Sequence, residues 1–545
     1  MCQHSWLVAR RFWFSSSKNI LYSSTTYTLV LLLSPRTSAH DITGRRVPDT
    51  MSLLLAWLPW LVASLFSIYL LDLLANVRRC LPPGPLPLPL IGSLHLVGDQ
   101  PHRSLARLAK RHGPLMSLRL GAVTTVVASS PDVAREFLQK HDAIFATRLV
   151  NDAMGDHARD SIPWLPHAPR WRSLRKMMTT ELFAPHRLDA LQGLRSDKVR
   201  ELAAHVARLA SDGAEIDVGR VAFTTMLNLL SRTIFSRDLT SLDDHGGSKE
   251  FQVLMAEIME YGGCPNVSDF FPALARADLQ GLRRRLARMF ARLHVVFDEE
   301  VDRRREQGES RKENQDFLDV LLDVAARDGG KAGLDRDTLR ALFTDLFIAG
   351  SDTSSITVEW AMVELLRNPS SMTQAHEEIA QVIGSRRSIE ESDIDQLPYL
   401  QAIVKETFRL HPPAPFLLPR QAQETIRIAG YMVPQGARVL VNVWAIGRDE
   451  GIWPKPDKFM PERFIGREVD YKGGDFELLP FGAGRRMCPG VPLATRMVHL
   501  VLATLLNRFK WRIPMEVERA GIDMTDKFGV TLTKAIPLCA IAIPI

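Results

Sequence analysis

The sequence predicts a mainly α fold with minor β structure. Apolar residues recur at helical spacing through most of the chain after about residue 100. Only a few short stretches are rich in β-branched residues and bounded by glycine. With 46% apolar and 24% charged residues, the chain has the composition of a globular protein with a sizeable core. No repeated unit occurs, which argues against a solenoid.

The N-terminal region precedes this helical part. Residues 1–50 are rich in Ser, Thr and Arg and loosely resemble an organelle transit peptide, but we favour Met51 as the natural start, with the extension as an artefact of the gene model. The stretch Leu53–Leu71 carries no charge and is long enough to cross a hydrocarbon core of about 30 Å. Residues 51–77 are therefore predicted to form a transmembrane anchor. A cleaved signal peptide is the alternative, but no small-residue cleavage site is clear.

Arg78 and Arg79 follow the anchor, which places the rest of the chain in the cytosol by the positive-inside tendency. The stretch LPPGPLPLPLIG then excludes a helix, so residues 78–92 are predicted to be a basic, proline-rich hinge. Residues 93–545 would form the main domain. The net charge of +6 indicates a basic surface, but no aromatic-and-basic repeat or zinc-finger spacing supports nucleic-acid binding.

Within the domain, individual elements can be predicted in order. A strand is expected in residues 119–129, and a helix with a proline near its start in residues 131–140. Residues 279–307 have the pattern of a long amphipathic helix. Residues 425–443 are expected to form a hairpin region, and residues 437–446 have the pattern of a second strand.

One of the cysteines has unusual neighbours. The five cysteines are scattered without CxxC pairs, which argues against a disulfide framework and a zinc ribbon. Cys488 lies in FGAGRRMCPG and is followed by Pro489, which suits a first helical position, and by an apolar helical run from Val491 to Leu506. At a helix N-terminus, the dipole and the free N–H groups would stabilise its thiolate.

The neighbours of Cys488 suggest what this thiolate could bind. Arg486 supplies a cation for an acidic group, and the glycines at positions 482, 484 and 490 allow close approach of the backbone. A planar metal cofactor that carries carboxylates would satisfy these features together. The alternatives are a cysteine nucleophile and a glycine-rich phosphate loop. The nucleophile needs a histidine that the sequence does not identify, and Met487 occupies the third glycine position of the phosphate pattern.

The loop resembles the haem-binding loop of the cytochrome P450 monooxygenases, F-x-x-G-x-R-x-C-x-G. The fixed positions of that pattern are matched by Phe481, Gly484, Arg486, Cys488 and Gly490. The resemblance implies the cytochrome P450 fold, with haem b (iron protoporphyrin IX) as cofactor and Cys488 as the iron ligand, whose electron donation favours cleavage of the O–O bond.

Five further motifs extend the resemblance. KETFRL and PERF supply Glu406, Arg409 and Arg463, which resemble the family's Glu–Arg–Arg network and would hold the cysteine loop in position. By itself, the spacing of Glu406 and Arg409 predicts only a pair on one helical face.

AGSDTSS lies in a helix predicted over Asp337–Arg367 and resembles the family's oxygen-activation helix. Its small residues Ala349 and Gly350 would leave a groove for oxygen, and Asp352 and Thr353 would relay protons. A plain alternative is that the hydroxyls bond back to the preceding helical turn.

WRSLRK and LLPR supply the remaining cofactor contacts that the resemblance implies. Trp171 and Arg175 resemble donors to a haem propionate, and Arg420 and Arg486 are similar candidates. A basic face for an acidic electron donor, or simply a solvated helix face, would be formed by Arg170, Arg172 and Lys176.

The implied enzyme is a membrane-anchored monooxygenase of the endoplasmic reticulum with a cytosolic catalytic domain. It would use O2 and receive electrons from NADPH-cytochrome P450 reductase, because the chain has no nicotinamide or flavin fingerprint. SIPWLPHAPRWRSLRK and VDYKGGDFELLPFGAGRRMCPG resemble the plant branch that includes geraniol hydroxylases and the diterpene hydroxylases of grasses. This resemblance implies a terpenoid substrate, a monoterpene or a diterpene. Reductase-independent rearrangement of a fatty-acid hydroperoxide and a non-catalytic haem binder are the alternatives.

The resemblance also places the walls of an apolar substrate pocket. These walls would come from Leu149–Trp164, from Phe347 and Ala349, from Ala414–Leu418 and from Phe528–Val530.

Overall fold

The computed structural model describes residues 80–545, except 244–246, 307–314, 328–333 and 385–387, and a few isolated positions between 57 and 67. Residues 1–50 and most of the predicted transmembrane anchor lie outside the described residues. No helix in the described part of the chain has the length and hydrophobicity needed to cross a bilayer. The chain divides into two compact units, Met1–Cys80 and Leu81–Ile545, and the second contains all the elements below.

Helices make up most of this second unit, which confirms the predicted mainly helical fold. They are α1 Pro101–His112, α2 Pro131–Arg135, α3 Pro169–Met177, α4 Pro185–Ala190, α5 Gln192–Ser211, α6 Val218–Phe235, α7 Gly247–Gly263, α8 Val267–Phe270, α9 Leu282–Glu306, α10 Phe317–Arg327, α11 Arg336–Arg367, α12 Pro369–Val382, α13 Pro398–Leu410, α14 Val443–Ile446, α15 Val491–Arg508 and α16 Met515–Ala520.

The strands are short and form small sheets, as the sequence predicts. They are β1 Leu115–Leu120, β2 Val123–Ala128, β3 Thr147–Arg148, β4 Ile216–Asp217, β5 Arg420–Gln421, β6 Ile426–Ile428, β7 Tyr431–Val433, β8 Arg438–Val441, β9 Phe509–Arg512, β10 Asp526–Phe528, β11 Leu532–Lys534 and β12 Cys539–Pro544. The largest sheet has the order β1-β2-β8-β5-β3, in which β2 and β8 are parallel. The predicted hairpin is β6–β7.

Three local predictions need correction. The strand predicted for residues 119–129 is divided by a turn at residues 121 and 122, which separates β1 from β2. The helix predicted for residues 131–140 is α-helical only as far as Arg135, and the rest of it, Glu136–Lys140, is a π-helical turn. The strand predicted for residues 437–446 stops at Val441, where Asn442 caps the short helix α14 by accepting a hydrogen bond from Ala445 N–H. A short apolar run does not distinguish a strand from a helix, because both elements bury apolar side chains.

The long helix α11 runs through the helical part of the domain. Asp335 caps its start, since its carboxylate accepts a hydrogen bond from Thr338 N–H at 2.8 Å, and Pro369 follows its end. α11 packs along α6. At Gly350 a β-carbon would lie 2.6 Å from Leu230 Cδ1 of α6, so a larger residue there would require the Leu230 side chain to move. The small residue that the sequence assigned to an oxygen groove therefore also has a structural role.

Candidate active site

A cavity of about 350 Å³ lies between α11 and the loop that contains Cys488. α11 contributes Ala349 and Thr353 to its wall, and the loop contributes Phe481 and Cys488. Much of the remaining wall is apolar, with Met226, Leu229 and Leu230 from α6, Ile258 and Met259 from α7, and Val530 from the segment before β11. The site therefore combines one thiol with a largely apolar chamber.

Cys488 faces this cavity, and its N–H donates a hydrogen bond to Phe481 O at 3.0 Å. The helix that follows begins at Val491, with Gly490 as its cap and Pro492 in its first turn, so Pro489 lies just before the helix. The Cys488 side chain is exposed to the cavity, but the protein groups around it desolvate the thiol and raise its pKa. Hydrogen bonds from the N–H groups of Gly490 and Val491, and the charge of Arg175, act in the opposite direction. The helix terminus thus favours the thiolate as the sequence predicted, but burial outweighs it in the protein alone.

The glycines of the loop have different roles. Gly484 has φ +70°, and a β-carbon there would lie 2.0 Å from Leu138 O, so the loop packs directly against the backbone of the neighbouring segment. At Gly490 a β-carbon would make only ordinary contacts with Cys488 Sγ and Phe183. The sequence predicted that the glycines make room for a cofactor, but the close approach at Gly484 is to the chain itself.

Four arginines surround one side of the cavity: Arg148, Arg175, Arg420 and Arg486. Each donates to a backbone carbonyl, for example Arg175 to Met487 O at 2.7 Å and Arg486 to Ala146 O at 2.7 Å. Within the described residues, none of the four forms an ion pair with a carboxylate. Burial and mutual repulsion lower the pKa of Arg420 and of Arg486 to about 10. The cluster is thus an uncompensated positive site.

Trp171 completes this positive site. Its indole ring lies 4.3 Å from the Arg486 guanidinium, and its buried Nε1–H has no hydrogen-bond partner among the described residues. Buried donors without partners are uncommon in folded proteins. Together, an indole donor without an acceptor and guanidinium groups without carboxylate partners, all beside a thiol, suit a ligand that carries carboxylates and a metal.

Glu406, Arg409 and Arg463 form a buried network behind the loop. Arg409 makes two hydrogen bonds to the carboxylate of Glu406, at 2.7 and 2.8 Å, and Arg463 Nε donates to the same carboxylate at 3.0 Å. Arg409 also donates to Pro456 O, which fixes the segment that follows α14. On the same helix, Phe408 packs edge-on against Phe481 with ring centroids 5.3 Å apart, which connects the network to the cysteine loop.

Comparison with known proteins agrees with this geometry. The family model described as Cytochrome P450 matches residues 82–539. The chain belongs to the cytochrome P450 family. Geraniol 8-hydroxylase of Catharanthus roseus is 50% identical over 89% of this chain and 99% of its own length, and that of Swertia mussotii is 49% identical over 89% and 98%. The 7-ethoxycoumarin O-deethylase of Helianthus tuberosus is 47% identical over 89% and 99%.

This P450 is a haem-thiolate monooxygenase, and its cofactor is haem b, as in the rest of the family. The residues present fit that cofactor on three structural grounds. A cysteine thiol faces the cavity, and in the part of the chain that the structure describes the four guanidinium groups beside it lack carboxylate partners and a buried indole N–H lacks an acceptor. Two of the guanidinium groups have buried N–H groups without a hydrogen-bond partner among the described residues, at Arg148 Nε and Arg420 Nη1.

The pair Asp352 and Thr353 occupies the middle of α11 in this P450. Thr353 lines the cavity, and its hydroxyl donates to Ala349 O at 2.7 Å, the back-bond expected of a helical threonine. Asp352 points elsewhere: its carboxylate accepts a hydrogen bond from Thr531 at 2.7 Å. Desolvation raises the pKa of Asp352 to about 6, and the bond from Thr531 lowers it. The two side chains are adjacent in sequence but have separate hydrogen-bond partners.

The predicted cavity walls are only partly those observed. Met154 and Trp164, Ala349, Ala414 and Val530 line the cavity as expected. Phe347 instead packs among Phe235 and Phe297, and Phe528 stacks beside His102, so both belong to the core. Aromatic residues at helical or strand spacing are compatible with either role.

Sequence reasoning missed several residues of the cavity. Arg148, Asp345 and Thr531 all line it, yet none belongs to the motifs or predicted wall segments above. The only available signal was the position of Asp345, four and eight residues before Ala349 and Thr353 on α11, which places the three on one helical face.

The predicted basic face also changes, because Arg170 pairs with Asp160, whereas Arg172 and Lys176 are exposed.

Proposed function

We propose that this P450 hydroxylates an apolar terpenoid, a monoterpene or a diterpene, with electrons from NADPH supplied by a separate reductase. The observation that carries the proposal is the largely apolar chamber in front of Cys488, with side chains such as Met226, Leu229 and Val530. The names of two relatives that are about half identical to this chain, both geraniol 8-hydroxylases, support a terpenoid substrate.

The structure suggests which residues would hold the cofactor. Cys488 would bind the iron, and metal coordination would deprotonate its thiol despite the raised pKa. The propionates would be bound by Arg148, Arg175, Arg420, Arg486 and Trp171, because no carboxylate among the described residues pairs with these side chains. When bound, haem b supplies the activation of O2 that inserts one oxygen atom into the substrate.

The protein's own groups would then manage protons and water. Asp352, with its pKa near 6, can exchange protons near neutral pH. Thr353 presents its hydroxyl at the cavity wall, where it can pass a proton into the chamber. The apolar side chains exclude bulk water from the substrate.

We further propose that residues 51–77 anchor the protein in the endoplasmic reticulum membrane, with the catalytic domain in the cytosol. The reductase would dock on the face of α3 that exposes Arg172 and Lys176. Arg170 contributes little to that face, since its charge is paired with Asp160. An acidic partner surface would be complementary to the two remaining cations.

The first test is a carbon-monoxide difference spectrum of reduced membranes that contain the chain expressed from Met51. We expect the red-shifted Soret band of thiolate-ligated haem in the wild type and its loss in Cys488→Ser. Haem-loaded wild-type protein without this band would disprove Cys488 as the iron ligand. Cys264→Ser is the matched control, because that cysteine lies outside the cavity lining and should leave the band unchanged.

The second test addresses the reaction. Geraniol, a diterpene hydrocarbon and 7-ethoxycoumarin are each incubated with the enzyme, NADPH and reductase. A hydroxylated terpenoid that forms only when both NADPH and reductase are present supports the proposal. Product formation from a fatty-acid hydroperoxide without reductase would support the rearrangement activity instead, and haem loading without turnover of any substrate would favour a non-catalytic role.

A further inference from the structure

A buried polar pair interrupts the apolar wall of the cavity. Asp345 of α11 accepts hydrogen bonds from Ser161 Oγ at 2.7 Å and from Ile162 N–H at 2.8 Å. His157 Nε2 lies 3.4 Å from the same carboxylate. The side chains of Asp345 and His157 are only 9% and 5% exposed, and both residues line the cavity. A carboxylate at this depth is costly unless its oxygens are fully hydrogen-bonded.

The hydrogen bonding of this pair is incomplete. Asp345 forms no ion pair with a lysine or arginine anywhere in the described chain. His157 Nδ1 is buried and, among the described residues, without a hydrogen-bond partner. The imidazole stacks on Phe290 at 4.3 Å between ring centroids, so the ring orientation is fixed by packing. A carboxylate can accept about four hydrogen bonds, so acceptor capacity remains for a ligand in the cavity.

The position of the pair relative to the reaction centre is defined by α11. Asp345, Ala349 and Thr353 all line the cavity from this helix. Eight residues separate Asp345 from Thr353, which corresponds to about 12 Å along the helix. A ligand that contacts Asp345 at one end therefore extends toward Thr353 at the other.

We infer that Asp345 and His157 bind a hydroxyl group of the substrate and so select a terpenoid alcohol over the corresponding hydrocarbon. The inference rests on the proposed terpenoid oxidation and specifies the substrate class further. The substrate hydroxyl donates to the Asp345 carboxylate, and the carbon that is oxidised lies at the opposite end of the molecule, near Thr353. The pair thus sets both which molecule binds and which end of it reaches the reaction centre.

The discrimination follows from unpaired polar groups. A site built to hydrogen-bond a hydroxyl rejects an analogue that lacks it, because the buried polar groups are then left without a partner. Since the acceptor here is a carboxylate, we expect the alcohol to bind at least about ten-fold more tightly than its hydrocarbon. In a chamber without such an anchor, the more apolar hydrocarbon would bind at least as well.

The experiment is a binding titration of purified, haem-loaded protein, followed by the substrate-induced shift of the Soret band and thus independent of turnover. The probes are geraniol and the hydrocarbon of the same carbon skeleton without the hydroxyl, with decanol and decane as a second pair. We expect both alcohols to bind more tightly than their hydrocarbons in the wild type. Equal binding within both pairs overturns the inference and leaves the proposed function intact. Failure of every alcohol to bind overturns the inference and the proposed geraniol-like substrate together.

Variants separate this anchor from a merely structural role. Asp345→Asn keeps an acceptor for Ile162 N–H but loses the charge, and His157→Phe keeps the stack on Phe290. We expect each to lower the alcohol-to-hydrocarbon ratio of affinities several-fold while hydrocarbon binding persists. Asp156→Asn is the control, since that carboxylate is exposed and pairs with Arg159 at the surface. An unchanged ratio in Asp345→Asn, or an equal loss of affinity for both members of a pair, contradicts the inference.

Discussion

The hydroxyl of Thr531 donates to the carboxylate of Asp352 at 2.7 Å, across 179 positions of the chain. Thr531 also lines the substrate cavity. The residue immediately before Thr353 is therefore held by the segment that precedes β11, which also contributes to the cavity wall. Because the bond lowers the pKa of Asp352 against the effect of desolvation, Thr531 helps to set the pH at which this carboxyl ionises.

Replacement of Thr531 should shift the pH dependence of the reaction. In Thr531→Val the carboxylate loses its hydrogen bond, so the pKa of Asp352 rises above its value of about 6. The quantity to measure is the ratio of product formed to NADPH oxidised, between about pH 5 and 9. We expect the acid limb of this pH profile to move to higher pH by about one unit in the variant. Thr533→Val, two residues along, is the control, and a profile identical to that of the wild type in Thr531→Val would contradict the role of Thr531.

Glu359 should make the folded protein less stable at high pH. Desolvation raises the pKa of this carboxyl to about 7, and a hydrogen bond from Leu538 N–H lowers it. Since the folded state holds the proton more tightly than the unfolded state, stability falls as pH rises from about 4.5 to about 7. Glu359→Gln removes the charge and keeps the acceptor. The free energy of unfolding of this variant should equal that of the wild type at pH 4 and exceed it by about 3 kcal/mol at pH 8, as measured by thermal unfolding.

A pH-independent difference between Glu359→Gln and the wild type would show that the residue does not ionise in this range. Glu377→Gln provides the reference, because Glu377 is exposed on α12. The free energy of unfolding of Glu377→Gln should match that of the wild type at every pH.

The buried network should be required for a correctly ligated haem. Glu406→Ala leaves the guanidinium groups of Arg409 and Arg463 buried without their carboxylate. A loss of about 3–5 kcal/mol is expected for such a broken buried pair. The fraction of protein that gives the thiolate carbon-monoxide band should fall strongly. Glu377→Ala serves as control, and a full band in Glu406→Ala would show that the network does not position the loop.

Gly484 should tolerate no side chain. In Gly484→Ala the β-carbon would overlap Leu138 O, and the residue would also have to adopt a positive φ. We expect reduced haem content and a lower unfolding temperature. Gly474→Ala tests the same substitution in the preceding segment, where a β-carbon meets nothing within 4 Å. Equal behaviour of the two variants would refute the packing argument.

Arg148 should oppose stability before haem binds and favour haem binding itself. Its pKa is lowered well below the usual value by burial and by the charges of Arg420 and Arg486. Arg148→Met relieves that repulsion, so the haem-free protein should unfold at a higher temperature while its affinity for haem falls. Arg172→Met, on an exposed position of α3, should change neither quantity. A less stable haem-free form of Arg148→Met would contradict the prediction.

The sequence by itself determined the helical class, the long helix α11 and the residues that surround the thiol. These features are local: helical spacing defines α11, and the cysteine loop and the Glu406 motif each lie within a few consecutive residues. Local patterns can be recognised without the fold because the interactions that produce them act between near neighbours in the chain.

The tertiary structure decided the rest. Arg148 and Thr531 lie outside the motifs and the predicted wall segments, and they reach the cavity only because distant parts of the chain pack together. It also separated Phe347, a core residue, from Ala349, a cavity residue, although both lie on α11. The physical reason is that burial and pKa depend on what packs against a side chain, and those neighbours are set by long-range packing.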